Sequence, residues 1–586
     1  MSFGDLHRRL GWVFWMNMCE QTNPPKRALW LLGAAVLLAC TSFRLGAADV
    51  PSAELLARGR RLYTEGITVA GSPVQARSEG DISIAGTAAA CVTCHRPSGF
   101  GSSEGGYYVP PITGPILNAA RKLDRARLFP EMFGQVQPPQ FLSRVHQPHM
   151  RPPYQAASLK LALTQGIDAA GQGLALIMPR YQVGDADVAA LTAYLAQLSV
   201  HTDPGVDAER IHFATVFSDD VSVVDREAIV RTMQAYVAWH NQHLRSDRGR
   251  PNFSPYNRSE FVPLEREWTL AVWTLRGTED RWSRQLDSLN RRDPVFALIG
   301  GMVRGPWRVL ARYCDSKHIP YILPNTELPS IEGAQGGYTV YFSAGLVLEA
   351  QVIAQYLSSS SVPIRRIVQL AAADAFGETP AAALRNALVA SQREFEQEVV
   401  PFHSGEDLAT AIAGLTLDDS TALVVWPGRK AKADVAALLR SNIPAARIFL
   451  PSWVRDEAVQ APKAIAERLR FSEPRDINIA AHAKSFEVRA WMRTRGIAID
   501  RPALQFETYY ALSLTEAALS GIRNDYYRDY LLERIERESE RDLNPGIYPR
   551  LSFGPGQRFA SKGACIVRLD PENPGSVLAD SDWIVP

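Results

Sequence analysis

The chain has 586 residues, 46% hydrophobic and 21% charged, with a formal net charge of +1. That length suits about three or four units of ordinary size. The near-neutral balance leaves no electrostatic footprint for a polyanion, which excludes a nucleic-acid partner.

The first element is an export signal. Lys26 and Arg27 precede an apolar run over residues 28–39, too short to cross a bilayer comfortably and of signal-peptide length. Residues 1–48 are therefore expected to be leader and signal peptide, with Met16 and Met18 as alternative starts. Small residues at Gly46, Ala47 and Ala48 suit ordinary cleavage, whereas Leu37-Leu38-Ala39-Cys40 resembles a bacterial lipobox and would make Cys40 a lipid anchor. Leu38 fits that pattern poorly, so simple cleavage is the favoured reading, with no spanning segment left after processing. A periplasmic address follows.

Next comes a helix from Ser52 that carries Leu55, Leu56, Gly59, Leu62 and Tyr63, with Ser as a good N-cap. A glycine inside a helix usually costs about 1 kcal/mol relative to alanine, and close approach of a second helix would offset it. The candidate partner begins near Gly184 and Asp185 and carries Val188, Leu191, Tyr194, Leu195 and Leu198 on one face.

Between them lies Cys91-Val92-Thr93-Cys94-His95. Cys-x-x-Cys-His is the attachment sequence for c-type haem: two thiols reach two vinyl groups of one porphyrin, and the adjacent His ligates iron from the same side. A zinc reading needs a second ligand pair, and Cys19, Cys40, Cys314 and Cys565 are scattered. A redox-dithiol reading needs a thioredoxin-like context, whereas the local sequence is a Gly- and Ser-rich loop. One covalent haem c is the expected cofactor.

With Gly99-x-Gly101, Pro111-x-x-Gly114 and Met178-Pro179-x-Tyr181 added, residues 51–200 resemble a class I cytochrome c, an all-α fold. The resemblance implies that Met178 is the second axial ligand, a soft thioether that raises the potential relative to a second His. Met132, Met150, His146 and His149 are the rivals, in a Pro-rich stretch. His95 and Met178 lie further apart than compact cytochromes require. The excess near Ala120 to Tyr154 reads as an insertion packed over one haem edge.

Residues 201–208 read as a linker, after which strands and helices alternate. Strand-like runs are 211–217, 268–275, 295–299, 321–323, 367–371, 422–426 and 447–450, with amphipathic helices such as 224–244, 346–357 and 431–439 between them. Such alternation implies parallel sheets covered on both faces, and residues 209–586 are long enough for two lobes.

Four stretches carry a second resemblance: Ile319-Pro-Tyr-Ile-Leu-Pro-Asn-Thr326, Tyr341-Phe-Ser-Ala-Gly-Leu-Val-Leu-Glu-Ala350, Asp374-Ala-Phe-Gly377 and Leu551-Ser-Phe-Gly-Pro-Gly-Gln557. They are similar to type I periplasmic binding proteins of the branched-chain amino-acid receptor kind. The resemblance implies two α/β lobes, three crossovers and a ligand cleft. The turn at residues 300–305 lacks the Ser that grips an amino-acid carboxylate in those receptors. Thr326 matches a family position that touches ligand. Arg304 is either an anion grip near a helix start or a solvated turn residue. Trp426 and Trp453 each follow a strand, where cleft walls of open sheets lie, or else pack in the core. Cys314 and Cys565 are either a disulfide or two buried thiols.

The sequence therefore predicts a multidomain, exported electron carrier. Cys91 and Cys94 would hold the porphyrin, and His95 and Met178 the iron. The second region would receive a small organic ligand or dock a redox partner, for which a quinoprotein dehydrogenase is a candidate. Met ligation saturates the iron and favours a carrier over an enzyme. The alternative is a solute-binding component of a transport or sensing system with the haem as accessory.

Overall fold

The computed structural model describes residues 51–586 except 105–106, 122–149, 249–264, 331–335, 360–362, 392, 404, 479–482, 523, 538–542 and 574. The leader, Cys19, Cys40, Met132, His146, His149 and most of the expected insertion lie outside the described residues.

Helix α1 (Ala53–Glu65) begins where the Ser52 hydroxyl accepts from Leu55 N at 3.2 Å. It packs against α4 (Asp185–Gln197), and Gly59 is the reason the two axes come so close. A Cβ there would lie 2.1 Å from the Ala190 carbonyl oxygen. Between them in sequence are the short turn α2 (Val92–His95) and α3 (Ala156–Thr164). Leu62, Tyr63, Leu159, Leu163, Val188, Leu191 and Leu195 form the core of this unit.

The all-α expectation needs correction. Strand β1 (Gln75–Arg77) pairs antiparallel with both β2 (Ser83–Ala85) and β3 (Arg180–Gln182). Its burial alternates, with Ala76 inside and its neighbours out, as a strand period requires. Three residues are too few for that period to stand out in a sequence, and β3 brings the Met178 loop beside the unit's core.

In the second region, one sheet has five parallel strands in the order β8-β7-β6-β4-β5. They are β4 (Arg210–Ser218), β5 (Glu267–Leu275), β6 (Ala297–Ile299), β7 (Tyr321–Ile322) and β8 (Thr339–Val340). The other sheet runs β10-β9-β11-β12-β13-β14-β15. Its strands are β9 (Arg366–Ala372), β10 (Glu396–Phe402), β11 (Thr421–Trp426), β12 (Arg447–Pro451), β13 (Leu469–Glu473), β14 (Cys565–Leu569) and β15 (Val577–Ala579), the last two antiparallel.

The chain crosses between the lobes three times: after β8, after β13, and between Ala560 of the first core and Ala564 of the second. Helices α5 (Val223–Arg248), α6 (Pro502–Ser520) and α7 (Arg528–Arg537) belong to the first lobe. This is the two-lobed α/β arrangement expected above. Among the described residues no helix is long and apolar enough to cross a membrane.

Residues 201–208 are not a free linker. Asp203 N donates to the Tyr526 carbonyl at 3.2 Å, and its carboxylate accepts from Arg528 N at 2.7 Å. Asp207 accepts from Glu209 N and Arg210 N, each at 2.8 Å. The polar residues that mark a linker in sequence here satisfy backbone donors of the first lobe.

Candidate functional site

The turn α2 brings Cys91, Cys94 and His95 together on one short stretch, closed by His95 N to the Cys91 carbonyl at 2.9 Å. The His95 ring donates from Nδ1 to the Pro110 carbonyl at 3.0 Å. A carbonyl only accepts, so Nδ1 carries the proton and Nε2 keeps its lone pair for a metal. Burial holds the imidazole pKa down to about 4, partly opposed by the Pro110 bond, so the ring is neutral at pH 7. Burial also pushes the Cys91 thiol up to about 12. Both side chains still keep accessible surface, the condition of groups facing a recess.

Met178 borders the core of the same unit. Cys91, Val92, Met178 and Tyr181 border the same apolar cluster, and the Tyr181 and Cys91 side chains are hydrogen-bonded. Arg180 holds the Met178 loop by donating to the Met178 carbonyl and, at 3.1 Å, to the Leu174 carbonyl. Met150 is half exposed and outside this cluster. Cys91 and Met178, distant in sequence, thus border one apolar cluster. Among the described residues no three His, Cys, Asp or Glu side chains gather as a metal cage.

The loop after His95 docks on α7. Buried Glu533 accepts from Ser98 N at 2.8 Å and Ser98 Oγ at 2.6 Å. Burial raises the Glu533 pKa to about 8, opposed by those two bonds. A carboxyl raised from its ordinary 4.5 binds more proton folded than unfolded between the two values. Stability is therefore fully present below pH 4.5 and falls as pH rises towards 8, by at most about 1.4 kcal/mol per unit for this group. Glu533→Gln should flatten that fall, read as urea midpoints at pH 5 and pH 8. Equal slopes in both proteins would refute the assignment.

The second site is the cleft between the lobes, whose enclosed volume of about 70 Å³ is well below the usual range for ligand pockets. Its walls follow strand ends: Met302 after β6, residues 324–327 after β7, 341–343 after β8, 452–453 after β12 and 474–475 after β13. Ligands of open α/β sheets bind at such carboxyl ends.

Glu349 is buried and accepts from Ser452 N and Ser452 Oγ at 2.8 Å each and from Ser472 Oγ at 2.5 Å. Burial raises it to about 7, against those bonds. Glu507 pairs with Arg475 at 2.8 Å and accepts from the Tyr548 hydroxyl at 2.9 Å. Burial also raises Glu327, with the Arg304 charge opposing.

Thr326 and Trp453 line the cleft. Trp426 does not: it is fully buried in the second lobe's core, its indole donating to Gln369 Oε1 at 2.9 Å. Its strand is covered on both faces, so an aromatic at the strand end packs inward. Arg304 sits outside the lining, 3.8 Å from Asp225, with its carbonyl accepting from Arg429 across the lobes at 2.6 Å. Cys314 and Cys565 are free buried thiols in different lobes.

Sequence reasoning missed Glu349, Arg475, Glu507 and Tyr548. Glu349 falls within the quoted 341–350 stretch, and position after a strand end would have pointed to Arg475. Glu507 and Tyr548 have no local signal.

No family model and no curated protein matches the chain. Solved structures do. A branched-chain amino-acid ABC transporter protein from Thermus thermophilus, with bound valine, is 12% identical over 65% of this chain and 98% of its own, with a TM-score of 0.49. A fatty acid ABC transporter substrate-binding protein from Thermomonospora curvata is 14% identical over 66% and 95%, with a TM-score of 0.48. A branched-chain amino-acid transporter substrate-binding protein from Streptococcus pneumoniae, in complex with isoleucine, is 14% identical over 64% and 100%, with a TM-score of 0.46.

Proposed function

We propose that this is an exported, periplasmic c-type cytochrome that carries single electrons and is fused to a two-lobed ligand-binding region. The observation that carries it is that Cys91, Met178 and Tyr181 border one apolar cluster next to the turn that carries Cys94 and His95, with His95 oriented by Pro110. Cys91 and Cys94 would hold the porphyrin, His95 Nε2 and Met178 Sδ the iron. A haem held in this way supplies one-electron Fe(III)/Fe(II) chemistry. The residues contribute the rest: Pro110 fixes the imidazole tautomer, Arg180 holds the Met178 loop, and the apolar cluster excludes water from one side. The second region supports a small organic ligand in the cleft. A quinoprotein dehydrogenase is a candidate redox partner.

The test begins with acid-acetone extraction of the full chain, which should leave one haem on the protein. The ferric protein should show the weak near-infrared sulfur-to-iron band, and Met178→Ala should abolish it. Extractable haem would overturn the attachment, and a persistent band would transfer ligation to Met132 or Met150. A second reading, a solute-binding component of a transport or sensing system with accessory haem, draws on the same cleft and its buried carboxylates.

A further inference from the structure

We propose that Glu533 and Glu536 of the receptor-like region are positioning residues for the haem-bearing turn, so that the second region helps to set the iron's potential. The inference rests on the haem reading above. His95 and Pro110 are joined by one hydrogen bond, and the loop between them is held by α7 at four places. Glu536 pairs with Arg96, Glu533 binds Ser98, the Phe100 ring stacks on Tyr530 with centroids 4.4 Å apart, and Arg537 donates to the Gly101 carbonyl at 2.7 Å. The His95 end of the His95–Pro110 bond therefore depends on a helix more than 400 residues downstream.

Arg96 sharpens the point. It follows the iron-binding His directly and has φ +66 with ψ 164, a conformation that costs a non-glycine residue about 1–3 kcal/mol and persists only when its surroundings over-determine it. Tyr63 holds its carbonyl at 2.6 Å from inside the haem unit, and Glu536 holds its guanidinium from outside. Glu536 also binds Arg558 at 2.7 Å, and the Arg558 carbonyl accepts from Tyr341 N at 2.7 Å at the first lobe crossing. The clamp is thus continuous with the wall of the cleft.

A firm Nδ1–H···O=C bond makes the imidazole a stronger donor and favours ferric iron. Loosening the clamp should weaken that bond and raise the potential. The test uses the full-length holoprotein as wild type, Glu536→Gln, Glu533→Gln and Ser98→Ala. Covalent haem content is measured first, and its absence from the wild type would fail the haem reading rather than this one. Potentiometric titration follows, with the near-infrared band as the check on Met178.

All three variants should shift the equilibrium on the order of tenfold towards Fe(II), about 59 mV for one electron, with the band retained. Ser98→Ala decides the mechanism, because it removes no charge and truncates only the buried hydroxyl that donates to Glu533. A shift in Glu536→Gln without one in Ser98→Ala would be the field of a lost carboxylate, and would overturn positioning. Wild-type potentials in all three would overturn it equally.

Discussion

Gly59→Val should abolish folding of residues 51–200 and with it haem retention. The added Cβ would lie 2.1 Å from the Ala190 oxygen and 2.8 Å from both Ala190 C and Tyr194 Cβ. Two of these are main-chain atoms inside α4, which cannot swing aside as the end of a long side chain would. The helices must part, and Leu62, Tyr63, Leu191 and Leu195 lose their packing together. Overpacking a core usually costs about 1–3 kcal/mol, and this contact, made against backbone, should cost about 3 kcal/mol or more. The measurement is covalent haem per chain in purified protein, with urea unfolding of the milder Gly59→Ala beside it. Full haem content in Gly59→Val, or an unmoved midpoint in Gly59→Ala, would show that the crossing is looser than its geometry.

The other large effect is expected at Arg528. Its guanidinium is buried and donates to the carbonyls of Val295 at 2.6 Å, Phe296 at 3.0 Å, Pro204 at 3.2 Å and Lys317 at 3.4 Å. Arg528→Ala strands these acceptors and removes the positive charge beside Asp203, whose carboxylate keeps the backbone N–H of position 528 and whose pKa burial already raises. Breaking a buried charged network by removing one partner costs about 3–5 kcal/mol. Arg528→Lys should recover less than half of that, because a point ammonium cannot reproduce a planar fork. Chemical unfolding of the full chain checks both. A loss below about 1 kcal/mol in the alanine variant would mean that the carbonyls find water, and that residues 201–208 hang freely after all.

These two positions also mark what a reading of the sequence reaches. Gly59 was legible because its cost and its benefit are local: a glycine at a helical position, with a second amphipathic stretch at the unit's end. The strands β4, β9, β11 and β12 were legible for the same kind of reason, since strands buried on both faces read as continuous apolar runs. Strand β10 was not. Its Glu396, Gln397, Glu398 and Pro401 are what an edge strand carries to discourage further pairing, so it resembles a loop until its neighbour is known. Strands β14 and β15 close the second sheet after a long excursion through the first lobe, and no local pattern announces that return.

For the sites, the sequence by itself proposed a chemistry for the first and only the outline of the second. Cys-x-x-Cys-His proposes a ligand class from five consecutive residues, because the spacing of two thiols and a His is the one haem attachment uses. The tertiary structure alone decided that Trp426 packs inward while Trp453 faces the cleft, and that Arg304 is held by Asp225 and Arg429 outside it. It alone placed Glu349 and Glu507 among the cleft walls. It also decided that Ser98 rests on Glu533, 435 residues away. Short-range pattern records which groups a segment can bury. Which partner meets them depends on how two sheets and a separate helical unit pack, and that free energy is shared among contacts distant in sequence.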